Sequence, residues 1–303
     1  MTVPAKLAGF AAVVAIAFGG AAAVGAAIGP EPAKEAQHTS AGSHGATAES
    51  TVSTDHGGPG AEGAEEASHP VRGLSVAEAG LRVVVGDPEL RRGRVEELRF
   101  RVADEEGATV RDFEIAHRKR MHLILARRDL TGFQHLHPVQ QADGSWIAEV
   151  RLVDAGSYRL FADFTRGGDP YTLASDLRVD GEADLRHLPA PALIADAGDG
   201  YEVRREASEA RAGDGAELRF TVDNQGAPVH VEPYLGAGGH LVALREGDLA
   251  FLHVHPTEHA EQGGHDDSVG FEATFPTAGR YRLFLQFKHE GRVRTAAFTE
   301  EVR

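Results

Sequence analysis

The feature that most limits how this chain can fold is an internal duplication. Glu97-Leu98-Arg99-Phe100-Arg101-Val102 returns 120 residues later as Glu217-Leu218-Arg219-Phe220-Thr221-Val222. Ala155-Gly156-Ser157-Tyr158-Arg159-Leu160-Phe161 returns as Ala278-Gly279-Arg280-Tyr281-Arg282-Leu283-Phe284. Between these landmarks, His122 to Pro138 (HLILARRDLTGFQHLHP) answers to His240 to Pro256 (HLVALREGDLAFLHVHP), both 17 residues long. In each copy short apolar-alternating runs are separated by Gly, Pro, Asp and Asn, and no helical period is sustained. Alternation at a period of two is the mark of half-buried strands, so the chain is expected to be all-β, with two tandem antiparallel β-sandwiches. A repeat near 120 residues is too long for a solenoid and reads as a duplicated domain.

The expected boundaries are a first sandwich over 73–182, a linker over 183–199 and a second sandwich over 200–303. Strands in the first are expected near 80–86, 96–103, 112–126, 132–137, 145–153, 157–164 and 172–179. Tyr158 and Tyr281 each follow a Gly at a strand start, which suits tyrosines that hydrogen-bond at a strand corner, as in immunoglobulin-like sandwiches.

Ahead of the repeats, residues 1–29 contain Lys6 and then 22 residues without a charge, Leu7 to Ile28. As a helix at ~1.5 Å per residue this covers about 33 Å, one hydrocarbon thickness. It is expected to be a signal peptide or an N-terminal membrane anchor, and the charges flanking it place the remainder outside the cytoplasm, secreted or attached to the cell membrane. Residues 30–72 are rich in small and acidic residues and poor in large apolar ones, the composition of a disordered linker. That linker carries His38, His44, His56 and His69, read as residues of a solvated spacer.

Composition excludes several chemistries. The chain has no Cys, 2 Met and 16 His, so transition-metal chemistry here is imidazole and carboxylate chemistry. A net charge of −15 argues against nucleic-acid partners and for cations. No nucleophile elbow, Walker loop, dinucleotide fingerprint or HExxH motif is present, and the chain is not expected to be an enzyme.

The six candidate ligands are His122, His135 and His137 in the first copy and His240, His253 and His255 in the second. The spacing H-x12-H-x-H-P is common to both copies, although neighbouring polar positions differ. Alternation puts the two histidines of HLHP on one face. A hairpin turning about Arg128-Asp129 would set His122 opposite His135, and one about Glu246-Gly247 would set His240 opposite His253. Three imidazoles then converge on one divalent ion in each sandwich, Cu(II) or Zn(II). Histidines that merely hydrogen-bond and shape a strand end would give the same pattern. Met121 is expected in the core, while His117, His187, His230 and His289 lack matched counterparts and read as surface residues.

At HLILARRDLTGFQHLHP and the following GSYRLFADF the chain resembles uncharacterised exported proteins of high-GC actinobacteria. These look like distant relatives of the YtkA-like and copper-resistance-type sandwiches. The resemblance implies cupredoxin-like or immunoglobulin-like domains associated with heavy-metal handling, a metal ion as ligand and a membrane or secreted metal-handling protein as partner. Copper-resistance sandwiches commonly add Met or an N-terminal His to their sites, and this chain has no Met cluster, which argues against Cu(I) and leaves Cu(II), Zn(II) or Ni(II). Two other functions fit the same residues. One is a structural envelope interaction module without metal, and the other is a hydrolase or hydratase built on a zinc ion held by three histidines.

Overall fold

The computed structural model describes residues 71–252, 254–257 and 268–303. The expected leader, nearly all of the linker at 30–72, and His253 lie outside the described residues. Among the described residues the regular structure is all β, and no helix is long and apolar enough to cross a membrane.

The first sandwich comprises β1 (Ala77–Glu78), β2 (Leu81–Val85), β3 (Glu89–Leu90), β4 (Val95–Ala103), β5 (His122–Arg127), β6 (Gln134–Leu136), β7 (Val139–Gln140), β8 (Trp146–Arg151), β9 (Gly156–Arg166) and β10 (Asp169–Val179). Its outer sheet has the order β1-β2-β4-β8-β7, and its inner sheet β3-β10-β9-β5-β6. The second sandwich comprises β11 (Ile194–Gly198), β12 (Tyr201–Arg205), β13 (Gly215–Asn224), β14 (Ala227–Pro228), β15 (His240–Arg245), β16 (Phe251–Leu252), β17 (His255–Pro256), β18 (Ser268–Thr274), β19 (Gly279–His289) and β20 (Arg292–Val302). Its outer sheet is β11-β12-β13-β18-β17, with β14 beside β13, and its inner sheet is β16-β15-β19-β20. The stretch expected as a linker therefore contributes β11, the first strand of the second sandwich. The long strand expected over 112–126 begins only at His122, because residues 111–121 form turns and isolated bridges.

Each sandwich closes over its own core, as period-two alternation demands. In β4, Leu98, Phe100 and Val102 are buried and alternate with exposed Glu97 and Arg99 and half-buried Arg101, and in β13 the buried trio is Leu218, Phe220 and Val222. Tyr158 Oη donates to Asp154 O and Tyr281 Oη to Thr277 O, each at 2.9 Å, so both copies carry the expected tyrosine corner.

The inner sheets are covered on both faces. Every residue of β5 is buried, because Leu123 and Leu125 enter the sandwich core while Ile124 and Ala126 enter a second apolar cluster between the two sandwiches. That cluster is built from equivalent residues of the two copies: Ile124 and Val242, Ala126 and Leu244, Leu130 and Leu249, Phe161 and Phe284. Phe133 stacks on Phe284 with ring centres 4.1 Å apart, and its counterpart Phe251 meets Phe161 at 5.5 Å. Contact of i with j accompanied by contact of the equivalents in reverse is the rule of a two-fold interface, here within one chain.

The hairpin register differs from expectation by the same amount in both copies. Ile124 pairs with His135, and Ala243 with Leu252, so the paired numbers sum to 259 and 495 rather than the expected 257 and 493. The turns carry the difference. Leu130 (φ 62°) and Leu249 (φ 61°) both adopt the left-handed conformation, which sequence gives little reason to expect of leucine.

Candidate metal centre

The parity that sends Ile124 and Ala126 into the inter-sandwich seam sends His122 there too, at the seam's edge. His135 follows Phe133 on that face of β6, and His137 lies two residues further on. The result is a group in which one ligand atom each of His122, His135 and His137 lies within 4.8 Å of the others. His122 and His135 are only 3% and 9% exposed.

The hydrogen-bond partners assign which nitrogens carry hydrogen. A neutral imidazole has one N–H and one lone pair. His122 Nε2 donates to Ala116 O at 3.2 Å, which leaves its lone pair on Nδ1. Gln286 Oε1 lies 2.6 Å from His135 Nδ1, and Gln286 Nε2 donates to Thr295 Oγ1 at 3.3 Å. With the amide in this orientation the His135 hydrogen sits on Nδ1 and its lone pair on Nε2. His122 Nδ1 and His135 Nε2 face each other at 3.0 Å, lone pair to lone pair. His137 Nε2, beside them, is buried without a hydrogen-bond partner.

The electrostatics keep a proton out of this gap. Burial, reinforced by the neighbouring His122, pushes His135 down to about 3. Burial and His122 likewise push His137 down to about 4. His122 is lowered by burial against the pull of the Asp163 carboxylate. Asp163 lies opposite His122 in the β5–β9 register, accepts from Thr172 Oγ1 at 2.7 Å, and is itself raised by burial. Near neutral pH the rings are neutral ligands, each with a lone pair to give.

A family model described as "Domain of unknown function (DUF8832)" matches residues 76–181 and again residues 195–303. The chain belongs to the DUF8832 family. No curated protein matches its sequence significantly. Among solved structures it is similar to the Escherichia coli adhesin FdeC (15% identity over 74% of this chain and 64% of that one, TM-score 0.25). It is also similar to Salmonella alpha-2-macroglobulin reacted with methylamine (12%, 78% and 16%, TM-score 0.27) and to Yersinia pseudotuberculosis InvD (12%, 74% and 58%, TM-score 0.24). The chain spans less than two thirds of each of these proteins, and likenesses at this level say nothing of its activity.

The two DUF8832 copies do not contribute their histidines equally. His240, first of the second trio, joins the cluster of the first copy: its ring stacks on His135 at 4.7 Å and on His122 at 5.7 Å. Burial and the surrounding imidazoles hold it well below the ordinary histidine range. His255 lies on β17 in the outer sheet, paired in register with Glu272, whereas β15 and His240 belong to the inner sheet. It lines a cavity of about 530 Å³ together with Arg72, Pro170, Glu217 and Glu272. His253 lies outside the described residues. Where one trio per sandwich was expected, the described residues thus hold one gathering of imidazoles at the seam.

Sequence reasoning missed two members of this centre. His117, read as a surface residue, brings its ring within 6.1 Å of His122 and 6.0 Å of His240. Its counterpart in the second copy is Leu235, so the repeat, which marked the other histidines, gave no signal for it; the two share a left-handed backbone, φ 47° and 55°. Gln286 is the other, and only the docking of the sandwiches reveals it. Met121 is 1% exposed in the first core, as expected.

Proposed function

We propose that this protein is an extracytoplasmic metal-binding protein that holds a divalent ion, Cu(II) or Zn(II), through His122 Nδ1, His135 Nε2 and His137 Nε2, for buffering or delivery. One observation carries the reading. With the Gln286 amide oriented as it stands, two lone pairs face each other at 3.0 Å, the opposite nitrogens donate to Ala116 O and Gln286 Oε1, and a third buried nitrogen beside them has no partner. Facing lone pairs repel unless a cation lies between them, and rings pushed this far down do not keep a proton there at neutral pH. Ligating histidines characteristically donate their second N–H to a carbonyl or side-chain oxygen, as Ala116 O and Gln286 Oε1 accept here. Imidazole nitrogens without thiolate or thioether suit Cu(II) and Zn(II). The apolar N-terminal run supports export and tethering, and a metal-handling protein is the partner that buffering or delivery calls for. An ion in this centre would act as cargo.

Calorimetric titration of the full chain with Cu(II) and with Zn(II), alongside His137→Ala, tests the reading. Saturable binding by the wild type at one equivalent, weakened at least tenfold in the variant, is expected. Equal heats from the two proteins would remove it.

A further inference from the structure

We propose that the ion site is shared between the two sandwiches, so that ion binding tightens the docking of the second sandwich on the first. This rests on the ion-binding reading above and adds its regulation. The three ligands belong to the first sandwich, but the acceptor that orients His135 belongs to the second. Gln286 stands on β19 and reaches His135 Nδ1 across the seam at 2.6 Å, a contact between residues 151 positions apart. It is held in turn by Thr295 on the neighbouring strand β20.

The duplication shows what is particular about Gln286. The equivalent position in the first sandwich is Asp163, held by Thr172 as Gln286 is by Thr295. The second sandwich therefore presents a neutral amide oxygen where the first presents a carboxylate. An amide accepts the Nδ1–H of His135 without placing a charge against the apolar seam formed by Phe133, Phe284 and Val242. His240, also from the second sandwich, lies over the rings of His135 and His122.

If the sandwiches part, His135 loses its acceptor and the seam around it is wetted. Its hydrogen is then free to move to Nε2, the nitrogen the ion needs. Losing an orienting partner of this kind costs roughly 10–100-fold in metal affinity. Reciprocity of linked equilibria requires the ion to favour the docked arrangement by the same factor. Gln286 is thus a positioning residue, acting on the ion through His135.

The test uses the full chain with Zn(II) as probe. Affinity is measured by calorimetry for wild type, Gln286→Leu and Gln286→Glu, and amide hydrogen exchange of the wild type is followed with and without the ion. A 10–100-fold loss in Gln286→Leu, restored to within a few-fold by the acceptor in Gln286→Glu, is expected. Zn(II) should also slow exchange in β15 and β19 of the second sandwich, which supply no ligand; this readout needs no variant. Wild-type affinity in Gln286→Leu, or protection confined to β5 and β6, overturns the sharing and leaves the ion reading standing. A wild type that binds neither Zn(II) nor Cu(II) overturns both.

Discussion

Mild acid should weaken the first sandwich well above the pH at which carboxylates titrate, and His135 is one cause that can be isolated. In the folded chain burial pushes this imidazole down to about 3, whereas in the unfolded chain it returns to its ordinary value of 6.5. Above pH 6.5 both states are neutral and the contribution of the neutral, buried ring is intact. As the pH falls from 6.5 toward 3 the unfolded chain takes a proton that the folded one refuses, so stability drops by about 1.4 kcal/mol per pH unit. Between pH 6.5 and 5 the loss is about 2 kcal/mol for this one residue. His137, pushed down to about 4, contributes with the same sign. Asp163, raised by burial, acts in the opposite direction and is present in both proteins to be compared. The assay is urea unfolding followed by Trp146, the single tryptophan, 3% exposed in the core of the first sandwich. With a chelator present, wild type and His135→Leu are compared at pH 7, 6 and 5. The wild type should lose about 2 kcal/mol more than the variant across that range. Parallel losses in the two proteins would refute the claim that His135 stays neutral in the folded state.

Zn(II) at about 100 times its dissociation constant should raise the unfolding free energy at pH 7 by roughly 2.7 kcal/mol, measured by the same fluorescence, with no such rise in His122→Ala. Phe284→Ala removes the ring stacked on Phe133 and should cost about 3–5 kcal/mol, read as a separation of the two sandwiches' unfolding transitions by calorimetry. Asp129→Ala strands the Arg127 guanidinium, 1% exposed, without its carboxylate, and should cost about 3–5 kcal/mol in chemical denaturation. The wild-type pair itself should weaken only as the pH falls from 3.8 toward about 2, the value to which Arg127 and the other donors bring Asp129. Gly132→Ala should destabilise by more than about 1 kcal/mol in thermal melts, since φ is +62° there and a Cβ would sit 2.8 Å from the Tyr158 ring.

What the sequence revealed and what it hid divide along physical lines. The duplication, the alternating strands such as β4 and β13, and the tyrosine corners are local patterns, and each is found where it was expected. The hairpin register was not legible, because it depends on Leu130 and Leu249 adopting a backbone conformation that their side chains disfavour. The seam between the sandwiches left a trace that went unread: Leu123 to Ala126 is a continuous apolar run, and such a run signals a strand covered on both faces. His122, His135 and His137 could be picked out because they recur. His117 does not recur, and the roles of His240 and Gln286 depend on which faces of the two copies meet, a question of tertiary docking that no spacing within one copy encodes.

The reciprocal pairing of Phe133 with Phe284 and of Phe251 with Phe161 makes this molecule, in effect, a dimer whose two subunits happen to share a peptide bond. Joining unlike halves is what permits the specialisation seen here: a homodimer must place the same residue on both sides of its axis, whereas a tandem chain sets aspartate at 163 and glutamine at 286. The first half, cut free, would present its aromatic face to water and associate with itself, and every such pairing would bring a carboxylate to both sides of the axis.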